Sequence, residues 1–464
     1  MARWALVVPL LAKLSLAAED SLALLQVRSR GWRAPASSAG EVRHHWAAKN
    51  GDQNRSGSSA HVAPFDLSTP TWTYTLPVPF HNSPVIDSEG NVYAAHAQLG
   101  VVALDGRGNE RWRHKLLWPG NPVLLGNQIF VCSADGVVHS ISLATGSERW
   151  QSKVAKNCPS DAWSAAGSGQ TVIVMANVDS NSTDGNCDIL AVNATDGSQI
   201  WRLPLCQKGL ATGYNGMPSI VGNAVLFQDK QGGMHRLSLA SGAIEWSKPP
   251  YKKDSGAMST GGLATGPNGV VYGASNYEGH CDKGKGILQA VDLQTGAARW
   301  QRLFDHGLNS GPAVGRLGPS GRLAVIAQVS DNFLEFGVMG SFWLAGHAGP
   351  GPVHNGTVLA IDAETGETMW SFDVDGYTSW VYPEQAQGCL PDAFGNPAIG
   401  GDGTVYVNWS GGYAYAIRDA DGDGTISPQE VSKVHTSSGM NGETAIAPGL
   451  AVVPSCDALR GYIA

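Results

Sequence analysis

Along most of this chain apolar residues alternate with small or polar ones in short runs that pair across a glycine. Examples are NVYAAHAQLGVVALD (91–105), QIFVCSADGVVHSIS (128–142) and the split pair GVVYG (269–273) with GILQAVD (286–292). A period of two with a glycine turn predicts half-buried β-hairpins. Each hairpin is followed by a polar turn that ends on tryptophan: LATGSERW (143–150), NATDGSQIW (193–201), LASGAIEW (239–246), LQTGAARW (293–300) and AETGETMW (363–370), with LDGRGNERW (104–112) as a shorter version. Trp112, Trp150, Trp201, Trp246, Trp300 and Trp370 therefore close one recurring phrase.

The phrase returns roughly every 40 residues and each unit holds four short strands, which is the arithmetic of a propeller blade. One such twisted sheet cannot bury both of its faces, so neighbouring units must stack around an axis, with the tryptophans and Thr-Gly turns at equivalent places between blades. The ends of the chain predict how the ring closes. PTWTYTLP (70–77) reads as the last strand of a repeat with nothing before it, and residues 442–464 read as first strands with nothing after them. Pairing the two gives an all-β propeller of about eight four-stranded blades over residues 65–464. Seven is the count if the C-terminal stretch is not a blade.

Composition supports short strands and tight turns: 59 glycines and 25 prolines accompany 42% hydrophobic and only 15% charged residues. A net charge of −8 offers no basic face, so nucleic acid is not expected as a partner. The N-terminus reads as a signal peptide over residues 1–18, with Arg3 ahead of the apolar stretch Ala5 to Ala12 and small residues at Ser15, Ala17 and Ala18. No other segment approaches the length of a membrane helix. Residues 19–64, with Arg28, Arg30, Arg33 and the polar run GDQNRSGSSA, carry little apolar area and are expected to form a disordered leader. A secretory route, extracellular or luminal, follows from the signal peptide and is supported by glycosylation sequons at Asn54, Asn181, Asn193, Asn355 and Asn408. Of the seven cysteines no two stand at metal spacing, so zinc is not indicated. Cys158 and Cys206 each follow a tryptophan closely and are placed to meet between neighbouring blades.

In the seventh unit the turn phrase is replaced by AIRDADGDGTISPQEV, whose core DADGDGTISPQE matches the EF-hand calcium loop at every fixed position. Asp419, Asp421 and Asp423 offer carboxylates at loop positions 1, 3 and 5, Thr425 its carbonyl at 7, Ser427 a hydroxyl or water at 9, and Glu430 a bidentate carboxylate at 12. Gly424 permits the sharp turn and Ile426 supplies the buried anchor. Ser427-Pro428-Gln429-Glu430 also reads as a capping box with proline at the first helical position. The loop is entered by the strand YAYAIR (413–418) and has no paired second loop, which suits a weak, mainly structural calcium ion.

The recurring phrase VY…DG…ALD..TG…W resembles the repeat of pyrroloquinoline-quinone-type β-propellers, over roughly residues 65–464. That family includes quinone-dependent alcohol and glucose dehydrogenases, a bacterial outer-membrane assembly lipoprotein and other non-enzymatic binding scaffolds, so the resemblance implies a fold more firmly than an activity. In the dehydrogenases the quinone sits in the central funnel on a tryptophan, capped by a ring of two adjacent disulfide-bonded cysteines, beside a calcium ion held by Glu, Asn and Asp. No two cysteines are adjacent here, and pyrroloquinoline quinone has no specific motif behind it. Asp331, Asn332, Glu335 and Glu384 lie in insertions that could face the funnel, but they read as solvated loop residues. No HExxH, GxSxG or phosphate-binding loop is present, and the glycines of GHAGPGPVHNG (346–356) sit in a long loop without nucleotide-binding context. The expectation is a calcium-binding, non-catalytic propeller that takes a protein, peptide or glycan through its face loops; the alternative is a quinoprotein-like oxidoreductase.

Overall fold

The computed structural model describes residues 42–77, 80, 82–158, 164–180, 185–210, 217–253, 255, 257, 260–279, 284–331, 353–377, 393–440 and 442–464. Their strands form eight four-stranded antiparallel sheets. Seven blades run in chain order from the axis outward, and the eighth is composite: Ala445–Ala447, Leu450–Ser455 and Ala458–Ile463 are completed by Trp72–Thr75, with Trp72 opposite Gly461. The ring is thus sealed by pairing of the two chain ends, and no blade edge is left open at the junction.

The recurring phrase has a specific job at the blade interfaces. Each tryptophan sits on a blade's outermost strand and is clasped by the turn of the following blade. Its indole N–H donates to a carbonyl there, as from Trp112 to Leu143 at 3.0 Å, Trp201 to Leu239 at 2.8 Å and Trp300 to Ala363 at 2.9 Å. The turn glycine lies flat on the ring: at Gly146, held at φ +69°, a β-carbon would stand 2.5 Å from Trp112. The same clasp recurs from Trp72 to Gly106 and Gly108, Trp150 to Ala194 and Gly197, Trp201 to Gly242, and Trp246 to Leu293 and Gly296. Only glycine satisfies both the left-handed backbone and the missing space.

Residues 42–64, expected to belong to a disordered leader, are instead ordered inside the ring. The segment enters on the axis and makes a circuit of the innermost strands. Trp46 and Ile86 exchange both backbone hydrogen bonds in blade 1, Leu124 N of blade 2 donates to Ala47 O at 2.7 Å, and Gly167 N of blade 3 donates to Gln53 Oε1 at 2.7 Å. Ile220 N, Thr265 N and Val314 N of blades 4, 5 and 6 then donate to Gln53 O, Asn54 O and Ser56 O. Ile399 of blade 7 exchanges bonds with Gly57 O and Ser59 N, and Gly449 N of blade 8 donates to Val62 O at 2.9 Å. The composition argument failed because it counts apolar side chains. What orders this polar segment is the row of backbone groups that the eight blades present to the axis, each requiring a partner once buried.

The cysteine expectation is also corrected. Cys158 pairs with Cys132 and Cys206 with Cys187, so each bridge ties the middle of a blade to the connection that leaves it rather than joining the two tryptophan turns. Cys456 is disulfide-bonded as well.

Candidate functional site

Two regions depart from the repeat: the axis, where the leader segment lies, and the acidic loop on the rim of blade 7.

On the axis the segment turns back at Asn50 and Arg55, both in left-handed conformation at φ 63° and 58°. Arg55 is fully buried and its guanidinium donates to Pro218 O at 3.0 Å and to Lys49 O and Ala165 O, each at 2.5 Å. Burial pushes this guanidinium down to about 10, while the carboxylates of Glu443 and Asp52 hold it up, so it keeps its charge at neutral pH. Glu443, also fully buried, accepts from Asn50 N at 2.6 Å through Oε1 and from Ser83 Oγ at 2.6 Å through Oε2. A carboxylate of blade 8 and a guanidinium of the segment therefore share the buried centre, each nitrogen and each oxygen making a hydrogen bond, which lowers the cost of burying their charge. Beyond them Asn396 of blade 7 receives Gly311 N and reaches Met217 of blade 4. None of these residues carried a sequence signal on its own. The signal lay in the repeated approach to each inner strand, NSPV, GNPV, SGPA, GNPA and GETA, where Glu443 alone brings a charge.

The acidic loop closes the joint between blades 6 and 7. Carboxylate oxygens of Asp419, Asp421 and Asp423 lie within 4.8 Å of one another, Asp419 buried and the other two exposed. The loop is preshaped by short bonds: Gly422 N donates to Asp419 Oδ1, Asp423 N to Asp421 Oδ1 and Thr425 N to Asp423 Oδ1. Gly422 and Gly424 take left-handed φ of 77° and 80°. Glu430 is not gathered with the three aspartates. Its Oε1 accepts from Ala420 N at 2.5 Å, and its Oε2 from Ser427 N and Oγ at 2.9 Å, which completes the expected capping box. These bonds, first that from Ser427 N and then that from Ala420 N, hold the Glu430 carboxyl below the usual range. The exiting helix is a single 3-10 turn, Pro428–Glu430, before the chain resumes as the strand Val431–His435. Three oxygen donors on a rigid turn, with Thr425 and Ser427 following in order, fit a hard cation such as calcium. Ile426 packs on the core that holds Trp370, and Gly422 rests on Pro319 of blade 6.

Elsewhere, Ser133 Oγ, His139 and Glu148 form a chain with the connectivity of a nucleophile, base and acid: Oγ to Nε2 is 3.1 Å and Nδ1 to Glu148 Oε1 is 2.7 Å. Blade 4 provides its control. There Asp229 occupies the place of Ser133, bonded to His235 Nε2 at 3.0 Å. In both blades the group accepts turn amides or bonds turn carbonyls, and Ser133 is 2% exposed, so the pattern belongs to the hairpin and not to catalysis. Asp331 pairs with His306 at 2.9 Å, while Asn332, Glu335 and Glu384 lie outside the described residues. Among the sequons Asn408 is 1% exposed and donates to Gly442 O, Asn355 is exposed, and Asn181 lies outside the described residues. No helix among the described residues is long and apolar enough to cross a membrane.

Residues 134–317 match the family model of the outer membrane protein assembly factor BamB. The curated BamB of Yersinia pestis is 23% identical over 262 residues, 56% of this chain and 58% of that protein, so the chain spans little more than half the length of the relative it matches. The crystal structure of BamB from Moraxella catarrhalis superposes with a TM-score of 0.58 at 17% identity, covering 85% of this chain and 99% of that one. The quinohemoprotein alcohol dehydrogenase of Comamonas testosteroni gives 0.60 at 14% identity, over 94% and 82%. The same ring is thus shared by an assembly factor and by a redox enzyme. By fold this chain is an eight-bladed β-propeller, and its repeat resembles that of the pyrroloquinoline-quinone-like propellers.

Proposed function

We propose that this chain is a non-catalytic binding scaffold of the secretory pathway, braced by calcium at Asp419, Asp421 and Asp423, that holds a protein partner on one face of the ring. The observation that carries the reading is the filled axis. Residues 46–62 hydrogen-bond to the inner strands of blades 1 to 7 and to the turn that follows the inner strand of blade 8, and the buried Arg55 and Glu443 are hydrogen-bonded at the centre, so much of the channel wall is covered by the chain itself. What remains for a partner is the faces. On the face made by blade-to-blade connections and middle hairpins, Leu117 is 60% and Trp118 50% exposed, and Trp118 is held at φ 45°. A left-handed tryptophan costs about 1–3 kcal/mol and persists where the surroundings over-determine it, commonly at a binding surface. The naming of BamB as an assembly factor for outer membrane proteins is in keeping with a protein partner.

Purified protein incubated with pyrroloquinoline quinone and calcium, then desalted, is expected to retain no quinone absorbance. Stoichiometric retention with dye-linked alcohol oxidation would replace the scaffold by the oxidoreductase. For the loop, calorimetry is expected to show one calcium bound with Kd of about 10⁻⁴–10⁻³ M, lost in Asp421→Asn; equal binding by both proteins removes the assignment.

A further inference from the structure

The circuit of the leader leaves an opening among the described residues. Between the segment and the first hairpins of blades 5, 6 and 7 lies a cavity of about 390 Å³, within the range of small-molecule sites. It is on the opposite face from Trp118 and independent of the partner surface proposed there. One wall is polar and comes mostly from the leader: Asp52, Asn54 and Ser58, with Thr265 of blade 5. The other is aliphatic, with Val314 and Leu323 of blade 6.

The polar wall is unusually under-used for a packed interior. The Asn54 side-chain amide makes no hydrogen bond among the described residues, although its backbone carbonyl is taken by Thr265 N at 3.2 Å. Thr265 is 3% exposed and its Oγ1 has no partner. Ser58 Oγ meets only Ser56 Oγ, at 3.3 Å. The Asp52 carboxylate accepts from Ser56 N at 2.9 Å, from Ser56 Oγ at 2.8 Å and from the Asn54 backbone N–H, which leaves one of its about four acceptor sites free. Thr265 Oγ1 is a buried polar group without a partner, which costs about 1–3 kcal/mol, and the half-buried Asp52, Asn54 and Ser58 have free hydrogen-bonding capacity beside it, so the site favours a ligand rich in hydroxyls. One carboxylate is too few oxygens for a hard cation, and with Asp52 and Arg316 both in the lining the wall has no net charge that would select an ion.

We propose that this cavity holds one sugar residue, its hydroxyls on Asp52, Asn54, Ser58 and Thr265 and its C–H face on Val314 and Leu323. Two sources present that chemistry. Asn54-Arg55-Ser56 is a glycosylation sequon, so the residue is either the first sugar of a glycan attached at Asn54 or part of a free glycan.

Two arms distinguish them. In the first, unglycosylated chain with calcium present is probed by saturation-transfer NMR with glucose, mannose and N-acetylglucosamine. At least one sugar is expected to receive saturation, and the double variant Asn54→Leu, Thr265→Val to lose at least tenfold in affinity at an unchanged melting temperature. In the second, chain from a glycosylating secretory host is mapped at Asn54; a glycan there that resists endoglycosidase until the chain is denatured identifies the attached source. The proposal is overturned if no free sugar gives transfer and Asn54 is unmodified or its glycan is released equally fast from native and denatured chain. Transfer that survives the double variant overturns it too.

Discussion

Six blade joints and the joint between blades 6 and 7 do the same task with opposite chemistry. At the six, a glycine turn lies on a tryptophan that keeps part of its ring in solvent, apart from the more deeply covered Trp201. At the seventh, Trp370 is 2% exposed, and a loop with three converging aspartates and Ile426 covers it. These joints are finished by close packing and an indole N–H hydrogen bond. The acidic joint buries its tryptophan more completely but concentrates like charge in five residues, a repulsion that only a cation removes. Under the calcium reading proposed above, this one fold position would answer to an ion and its six equivalents would not.

The comparison can be broken in order of expected effect. Trp370→Ala removes the most buried of these rings and is expected to cost about 3–5 kcal/mol in chemical unfolding; the more exposed Trp112→Ala should cost less. Gly146→Ala forces a left-handed alanine into the Trp112 ring and should cost about 2–3 kcal/mol, by strain and overpacking, identically with and without calcium. Asp421→Asn should abolish the calcium-dependent rise in melting temperature while changing stability without calcium by no more than about 0.5 kcal/mol.

The smallest effect is set by pH. Glu430 has its carboxyl lowered by backbone N–H groups, so its contribution is complete above the ordinary glutamate range and is lost as pH falls through the lowered value. Residues 368–373 and 419–430 should therefore loosen in acid before the six glycine-turn joints, seen as faster hydrogen exchange after correction for intrinsic rates.

Much of the ring was legible in the chain because a clasp repeated six times leaves a phrase repeated six times, and because PTWTYTLP and 442–464 are complementary fragments of one blade. The partner of each tryptophan was not legible: the turn that precedes Trp150 in sequence clasps Trp112, since stacking pairs a turn with its neighbour's ring. The convergence of Asp419, Asp421 and Asp423 was readable in their spacing, whereas Glu430 serves the cap instead of joining the aspartates. The axis was not readable, because backbone hydrogen bonds to strand edges leave no mark in side-chain composition, and Arg55 and Asn50 look like any polar residues in a Ser- and Gly-rich stretch.

Hydrogen–deuterium exchange on the full chain, with and without calcium, addresses the axis and the rim together. Within residues 46–62 the amides that donate to the blades, those of Trp46, Asn50 and Ser59, are predicted to be protected in both conditions, as are the strand amides of Leu124, Ile220, Thr265 and Val314 that donate to the segment, with calcium adding protection only at 368–373 and 419–430. Exchange of 46–62 at the rate of an unstructured peptide would contradict the filled axis and with it the scaffold reading.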